Sequence, residues 1–348
     1  MLIFKKQKEE LGMYLDEGCY VDMITPFYQS GKIDYRGLEK NINFVSQVVT
    51  GICLVGMAGE SPTLSGAQHK EVLKRGTEFA RESKGEKIVV IAGTGSNALH
   101  EALDYTSAAK KVGCDGVILV DPYYNRPPSI QLRDNYYKAI AKKFPLLKII
   151  PCSFPSRTGT TLTPEDLRDI DSANICGVLR EVKDNLTDLR EIKKVCRPDF
   201  AIFSVQDEKT LKIVGDKEIK GRGSFSVVAN IAPFAVQKML EYLEIGEVKR
   251  ARLIDRALKP LYEAMTIKEP RAVDGKIIVD YYPIPITVKT AMNILGMPAG
   301  VCRFPLGSMP LSAVNQIKEA LRKIWIDNPW VLMPVEKFYG VKMEKRLI

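Results

Sequence analysis

Eight short, apolar, β-rich runs recur along the first two thirds of the chain, and their spacing constrains the fold more than any other feature. They cover residues 19–25, 51–55, 87–92, 116–120, 148–152, 175–179, 200–205 and 223–227, with starts 23 to 36 residues apart. That is the period of a strand plus a return helix. Most of the runs are continuously apolar, as parallel strands buried on both faces require. The gaps carry helical patterns with start signals. Asp34 and Ser65 each precede one, Thr163-Pro164-Glu165-Asp166 opens a third, and Asn185-Leu186-Thr187-Asp188 a fourth. Eight such units in a row predict an α/β protein, a closed (β/α)8 TIM barrel over residues 19–245. No GxGxxG opens the first unit, which argues against an open dinucleotide-binding sheet.

The remainder of the chain reads differently. Residues 1–18 form an N-terminal extension. Residues 246–325 hold three helical patterns (248–265, 284–296 and 311–325) with no strands between them, so a C-terminal helical region is expected. The Pro-containing segment 326–348 reads as an irregular tail.

Composition narrows the function classes. Of 348 residues, 45% are apolar and 27% charged, a globular balance. No apolar run approaches the roughly 20 residues a bilayer span needs, so no membrane partner is expected. The opening "MLIFKKQKEELGMY" lacks the apolar stretch and small-residue cleavage site of a signal peptide. The seven cysteines are scattered without a CxxC pair, and there are only two histidines, His69 and His100. That pattern predicts a reducing, cytoplasmic setting with no metal and no cofactor. The net charge of +9 is spread along the chain rather than clustered with aromatics. It suits a small anionic ligand better than nucleic acid.

In a barrel of this kind the chemistry sits where strands end. The strand ends carry Thr25-Pro26-Phe27, then "GMAGESPTLS" (56–65), "GTGSN" (93–97), "DPYYNRP" (121–127), "CSFPSRTG" (152–159), Arg180-Glu181, "SVQDE" (204–208) and "SVVAN" (226–230). This ordered set, with "PIP" at 283–285, resembles the dihydrodipicolinate synthase / N-acetylneuraminate lyase family over roughly residues 20 to 321, and leans toward the synthases. The resemblance implies a class I aldolase barrel, generally a tetramer, in which a lysine ending strand 6 forms an imine with pyruvate. A tyrosine ending strand 5 then moves protons, helped by a threonine of the strand-2 loop and a tyrosine of "PYYN".

Carried over position by position, the resemblance implies changed residues here. An ungapped count from "PSRTG" places the lysine position on Arg180 and the strand-5 tyrosine on Cys152. The paired threonines fall on Met57 and Ala58, and a small residue after strand 7 falls on Val205. Glu60, Ser61, Tyr123, Tyr124 and Arg157 keep the family pattern. Arg180, Cys152 and Tyr124 therefore occupy the catalytic positions, and Met57, Ala58, Glu60, Ser61, Arg157 and Val205 the ligand-binding ones. An arginine keeps its charge, with a pKa above about 12, so it cannot be the imine nucleophile. Arg180 is instead expected either to bind an anion together with Arg157 or to form an ion pair with Glu181 or another acid at the mouth. Cys152 reads as a reactive thiol or as a small strand-end residue, Tyr124 as a site or subunit-contact residue. Lys183 is the nearby lysine that could stand in for the missing one.

Three functions stay open: a divergent lyase-family enzyme acting without an imine, a catalytically silent paralogue, or an orthodox aldolase of the synthase type with a displaced lysine. The expected ligand is a 2-oxo acid, a sugar acid or a phosphate. The silent paralogue would serve as a sensor or as partner of an active relative. "PYYNRP" points to a homo-oligomer, a dimer of dimers.

Overall fold

The computed structural model describes residues 14–83, 88–170, 172, 174–183 and 185–348. Most of the expected N-terminal extension, and Lys87 at the expected start of the third strand, lie outside these residues.

The eight runs form eight parallel strands closed in sequence order into a barrel. They are β1 (Gly18–Asp22), β2 (Gly51–Leu54), β3 (Val89–Gly93), β4 (Gly116–Val120), β5 (Lys148–Ser153), β6 (Gly177–Arg180), β7 (Ala201–Ser204) and β8 (Gly223–Ser226). β8 pairs with β1 from Gly18↔Gly223 to Val21↔Ser226, which closes the ring. The return helices follow: α1 (Tyr35–Val45), α2 (Gly66–Glu82), α3 (Leu99–Val112), α4 (Ser129–Gln131, a π-turn Leu132–Tyr137, then Lys138–Lys143), α5 (Pro164–Asp169), α6 (Thr187–Val195), α7 (Thr210–Val214) and α8 (Pro233–Glu244). The start signals act as read. Asp34 accepts from Gly37 N–H, Ser65 and Gln68 form a reciprocal capping box, and Thr163 accepts from Asp166 N–H.

Strand alternation splits the core in two. One set of side chains, including Val21, Leu54, Val90, Leu119, Ile149 and Val178, packs outward against the helices. The other fills the lumen: Tyr20, Cys53, Ile91, Ile118, Ile150, Leu179, Ala201, Phe203 and Phe225, with Cys152 and Val205 packed against them. Tyr20 stacks on Phe225 at 4.7 Å and meets Phe203 edge-on at 5.6 Å, so the lumen below the mouth is solid.

Beyond the barrel, α9 (Val248–Glu263), α10 (Ile286–Leu295) and α11 (Leu311–Asp327) occupy the three helical patterns. Two expectations for this region are corrected. Strands do intervene, as a hairpin of β9 (Ile267–Val273) and β10 (Lys276–Tyr282). Asp274 and Gly275 both take positive φ, 47° and 76°, the two-residue turn that Asp-Gly favours. The tail is not irregular either: it forms α12 (Met333–Tyr339) and α13 (Met343–Leu347). Its prolines sit at helix starts, where a missing N–H costs nothing, and Gly340 ends α12 in the left-handed region. Val335, Met343 and Leu347 are buried, and Tyr339 packs on Phe44 of α1 at 5.3 Å while its hydroxyl donates to Asn41 Oδ1 at 2.8 Å.

Tyr339 therefore ties the last helices to the barrel. Tyr339→Ala is expected to cost about 3–5 kcal/mol in urea unfolding, as truncating other buried aromatics does. A loss below about 1 kcal/mol would mean that α12 contributes no docking energy.

Candidate active site

The site lies where β5 and β6 end. Cys152 and Leu179 are partners across these strands, as are Ser153 and Arg180. Alternation puts one pair inside and the other outside. Leu179 belongs to the lumen cluster, with Cys152 beside it. Arg180 points the other way, into the layer between strands and helices, and is 4% exposed. Its Nε and Nη2 donate to Asp188 at 2.8 and 3.2 Å, and its Nη1 donates to Ser153 Oγ at 2.9 Å and Leu162 O at 2.8 Å. Asp188 lies in the first turn of α6, where the helix dipole favours an acid. The guanidinium is thus consumed by a bidentate pair and two further bonds.

This corrects the placement read from the sequence. Arg180 neither occupies the lumen nor converges with Arg157; it follows the other expectation, an ion pair, with Asp188 as its acid. The residue that faces the lumen beside Cys152 is Leu179. The ungapped count assigns a family position and not a face, and the two faces of a strand alternate residue by residue.

Among the described residues no lysine stands in the upper lumen. Lys148, at the start of β5 and so at the opposite end of the barrel, is the one lysine on the eight strands. Of the loops that follow them, the described residues hold Lys32, Lys183 and Lys209, and Lys183 is exposed. The buried Lys289 of α10 is held by Glu60, Nζ to Oε1 2.5 Å, and lies 4.0 Å from the Phe27 ring centre. Glu60 Oε2 also accepts from Arg303 N–H at 3.0 Å. Glu60 is therefore corrected from a ligand contact to a tie between the mouth and the C-terminal region. Its left-handed backbone, φ 57°, turns the chain after the "GMAG" loop. Breaking such a buried pair from one side costs about 3–5 kcal/mol.

The remaining expected residues do border the mouth. Ala58 is fully buried, Met57 half-buried and Ser61 at the rim. Val205 packs against the lumen cluster. Cys152 is half-buried, and burial together with nearby Asp121 and Asp22 pushes its thiol well above the ordinary range, so it stays protonated at neutral pH rather than reactive. Arg157 is exposed on the turn Pro155–Thr158 and donates one long bond, 3.4 Å, to Ile284 O. Glu181 braces that turn by accepting from Ser156 N–H at 2.8 Å and Oγ–H at 2.6 Å. Tyr123 and Tyr124 present their backbone N–H groups to Asn97 Oδ1, and Tyr124 is 84% exposed.

One mouth residue was missed. Asp22 ends β1, two residues beyond the inward Tyr20, and is 8% exposed. Its Oδ2 accepts from Ala58 N–H at 3.0 Å, while Oδ1 is buried with no partner. Burial pushes its carboxyl up to about 7, although the Ala58 N–H and the Arg157 charge both pull it down. The available signal was an acid closing an otherwise apolar run, on the lumen parity. Among the described residues no group of three His, Cys, Asp or Glu could hold a metal ion, and no helix is long and apolar enough to cross a membrane.

The comparisons with known proteins agree with this architecture. The dihydrodipicolinate synthetase family matches residues 16–324. A 4-hydroxy-tetrahydrodipicolinate synthase of Methanococcus vannielii is 36% identical over 310 residues, 88% of this chain and 98% of its own. The crystal structure of dihydrodipicolinate synthase from Aquifex aeolicus superimposes with a TM-score of 0.77 at 32% identity, covering 88% of this chain and 97% of that one. The chloride-inhibited enzyme from Acinetobacter baumannii, complexed with pyruvate, gives 0.78 at 28% identity, covering 89% and 99%.

Asp22 carries a pH signature. Its folded pKa of about 7 lies above the roughly 3.9 of an unfolded aspartate, so its contribution is most favourable below pH 4 and is lost as the pH rises through 7. Asp22→Asn should therefore gain on the wild type by roughly 2–3 kcal/mol between pH 5 and pH 8 in urea melts, at ~1.4 kcal/mol per pH unit. The same stability difference at both pH values would contradict a buried, proton-holding carboxyl.

Proposed function

Since the chain belongs to the dihydrodipicolinate synthetase family, we propose that its barrel mouth binds a small carboxylic acid, such as a 2-oxo acid, and does so without forming an imine. The observation that carries this reading is Arg180, on which the resemblance places the lysine: its guanidinium is buried and held by Asp188, Ser153 and Leu162, and the side chain that faces the lumen beside Cys152 is Leu179. Neither an arginine nor a hydrocarbon can form an imine with a carbonyl, and Cys152 is a protonated thiol, a weak donor. Arg157 at the rim is the cation that suits a carboxylate, through its planar fork. The Acinetobacter baumannii relative, described as complexed with pyruvate, supports an acid of that size in this fold.

A second reading, the orthodox synthase with a displaced lysine, is favoured by the names of the curated relatives, 4-hydroxy-tetrahydrodipicolinate synthase. It requires a loop lysine, Lys183 first among them, to reach the mouth.

We infer also a homo-oligomer, a dimer of dimers, in a cytoplasmic setting. The exposed Tyr124, and Tyr123 at 38%, support the assembly as interface anchors.

Borohydride trapping separates the two readings. Incubation with pyruvate and borohydride, followed by intact-mass measurement, is expected to leave the wild-type mass unchanged. An adduct mapped to Lys183 or another loop lysine would establish the displaced nucleophile and overturn our reading.

A further inference from the structure

Among the described residues the hairpin of β9 and β10 forms a sheet of its own outside the barrel. Two strands alone are marginal in water. β9 is the inner strand: Ile267 is buried, and Glu269 Oε2 accepts from Gln316 Nε2 of α11 at 2.7 Å. β10 is the outer one, with Ile277 75% and Tyr281 62% exposed, and Ile278 and Val279 exposed between them. The ladder fixes which backbone groups point outward. The Asp274-Gly275 turn makes Val273 and Lys276 a hydrogen-bonded pair, and the pairs alternate from there. Ala272–Ile277, Pro270–Val279 and Lys268–Tyr281 are therefore the pairs whose N–H and C=O groups face away from the hairpin. Pro270 fits this phase, since it has no N–H to give to the ladder. It also blunts the free edge of β9, as proline does on edge strands. β10 carries no proline and is rich in the β-branched and aromatic residues that suit a strand. Its outward groups, on Ile277, Val279 and Tyr281, find no partner among the described residues.

We propose that the β10 edge is an interaction surface for a second copy of this chain. Two β10 strands pair antiparallel about a two-fold axis at Ile278 and join two hairpins into one continuous sheet. In this register the strand is its own complement. Ile277 faces Val279 of the second copy; both have outward N–H and C=O groups, so they exchange hydrogen bonds in both directions. Lys276 faces Asp280 of the second copy, and Ile278 faces its own counterpart, so charges and β-branched side chains are matched across the axis. Asp280, which Arg271 holds at 2.5 Å within its own hairpin, then lies between two cations. Exposed ion pairs of this kind add little affinity, and their effect is on register. An axis at Asp280 would set two acids face to face, and one at Val279 would put Lys276 opposite Tyr282. An exposed apolar edge is otherwise a template for indiscriminate pairing, which a closed two-fold contact removes. This contact is distinct from the one read at Tyr123 and Tyr124, and it does not depend on what the barrel mouth binds.

The test is sedimentation velocity of the full chain at micromolar concentration, beside a Val279→Pro variant. That substitution removes an outward N–H which the hairpin itself does not use, opposite Pro270. The wild type is expected to be a dimer or larger, and the variant to show half the wild-type mass. The halving holds with or without the Tyr123–Tyr124 contact: tetramer to dimer with it, dimer to monomer without it. Oxidative cross-linking reads the register and decides the matter even if the proline variant does not fold. In Ile278→Cys the two Cα atoms face each other across a non-hydrogen-bonded pair, about 4.5 Å apart, a distance that a disulfide spans. A covalent dimer linked through position 278 is expected. Ile277→Cys, whose counterparts are offset along the strands, should give at least tenfold less. A monomeric wild type, an undiminished mass in Val279→Pro, no link at 278, or linking as extensive at 277 as at 278 would overturn the interface. None of these outcomes bears on acid binding at the mouth.

Discussion

The last two residues of β6 fix how that strand sits in the barrel wall. A strand has a period of two, so of Leu179 and Arg180 one must enter the lumen and the other must leave it. The protein resolves this by giving the guanidinium a complete set of partners outside: the Asp188 carboxylate, Ser153 Oγ and Leu162 O. Burying an arginine without them would be prohibitive. With them, Arg180 locks β6 against the loop before α5 and against the first turn of α6. Its fixed position forces Leu179 inward, into contact with Phe203, Ile150 and the rest of the lumen cluster.

The same logic shapes the neighbouring mouth. Charges that face helices or the C-terminal region are paired: Glu60 with Lys289, Glu181 with the Ser156 turn. Arg157 is exposed on its turn and makes one long bond, to Ile284 O, whereas Asp22 Oδ1 is buried without a partner. The apolar floor of Tyr20, Phe203 and Phe225 seals the lumen beneath them. Beside Cys152, the side chain that enters the lumen from the end of β6 is the hydrocarbon of Leu179.

Much of the fold was legible in the sequence because it rests on local pattern. The eight apolar runs became eight strands displaced by at most a few residues, and Asp34, Ser65 and Thr163 capped the helices they precede. What was not legible depends on register. Residues 175–180 read equally well with Leu179 or Arg180 inward, and only the pairing of Cys152 with Leu179 decides. Asp22 was passed over for a related reason: its meaning comes from Gly56 and Ala58, residues on another strand's loop. The hairpin and the terminal helices are different, since their signals were present. Asp274-Gly275 is a hairpin turn, and Pro329 and Pro334 sit where helices begin rather than where they break.

The central claim is that position 179, not 180, faces the lumen, and a lysine placed at each site would report it. A lysine in the apolar lumen has its pKa depressed by desolvation and offers a neutral amine. One placed outward meets Asp188 and stays charged. Leu179→Lys and Arg180→Lys should be incubated with pyruvate and borohydride and the adducts mapped by peptide mass. The account predicts a trapped adduct at position 179 in the first variant and none at position 180 in the second. An adduct at 180, with none at 179, would contradict it.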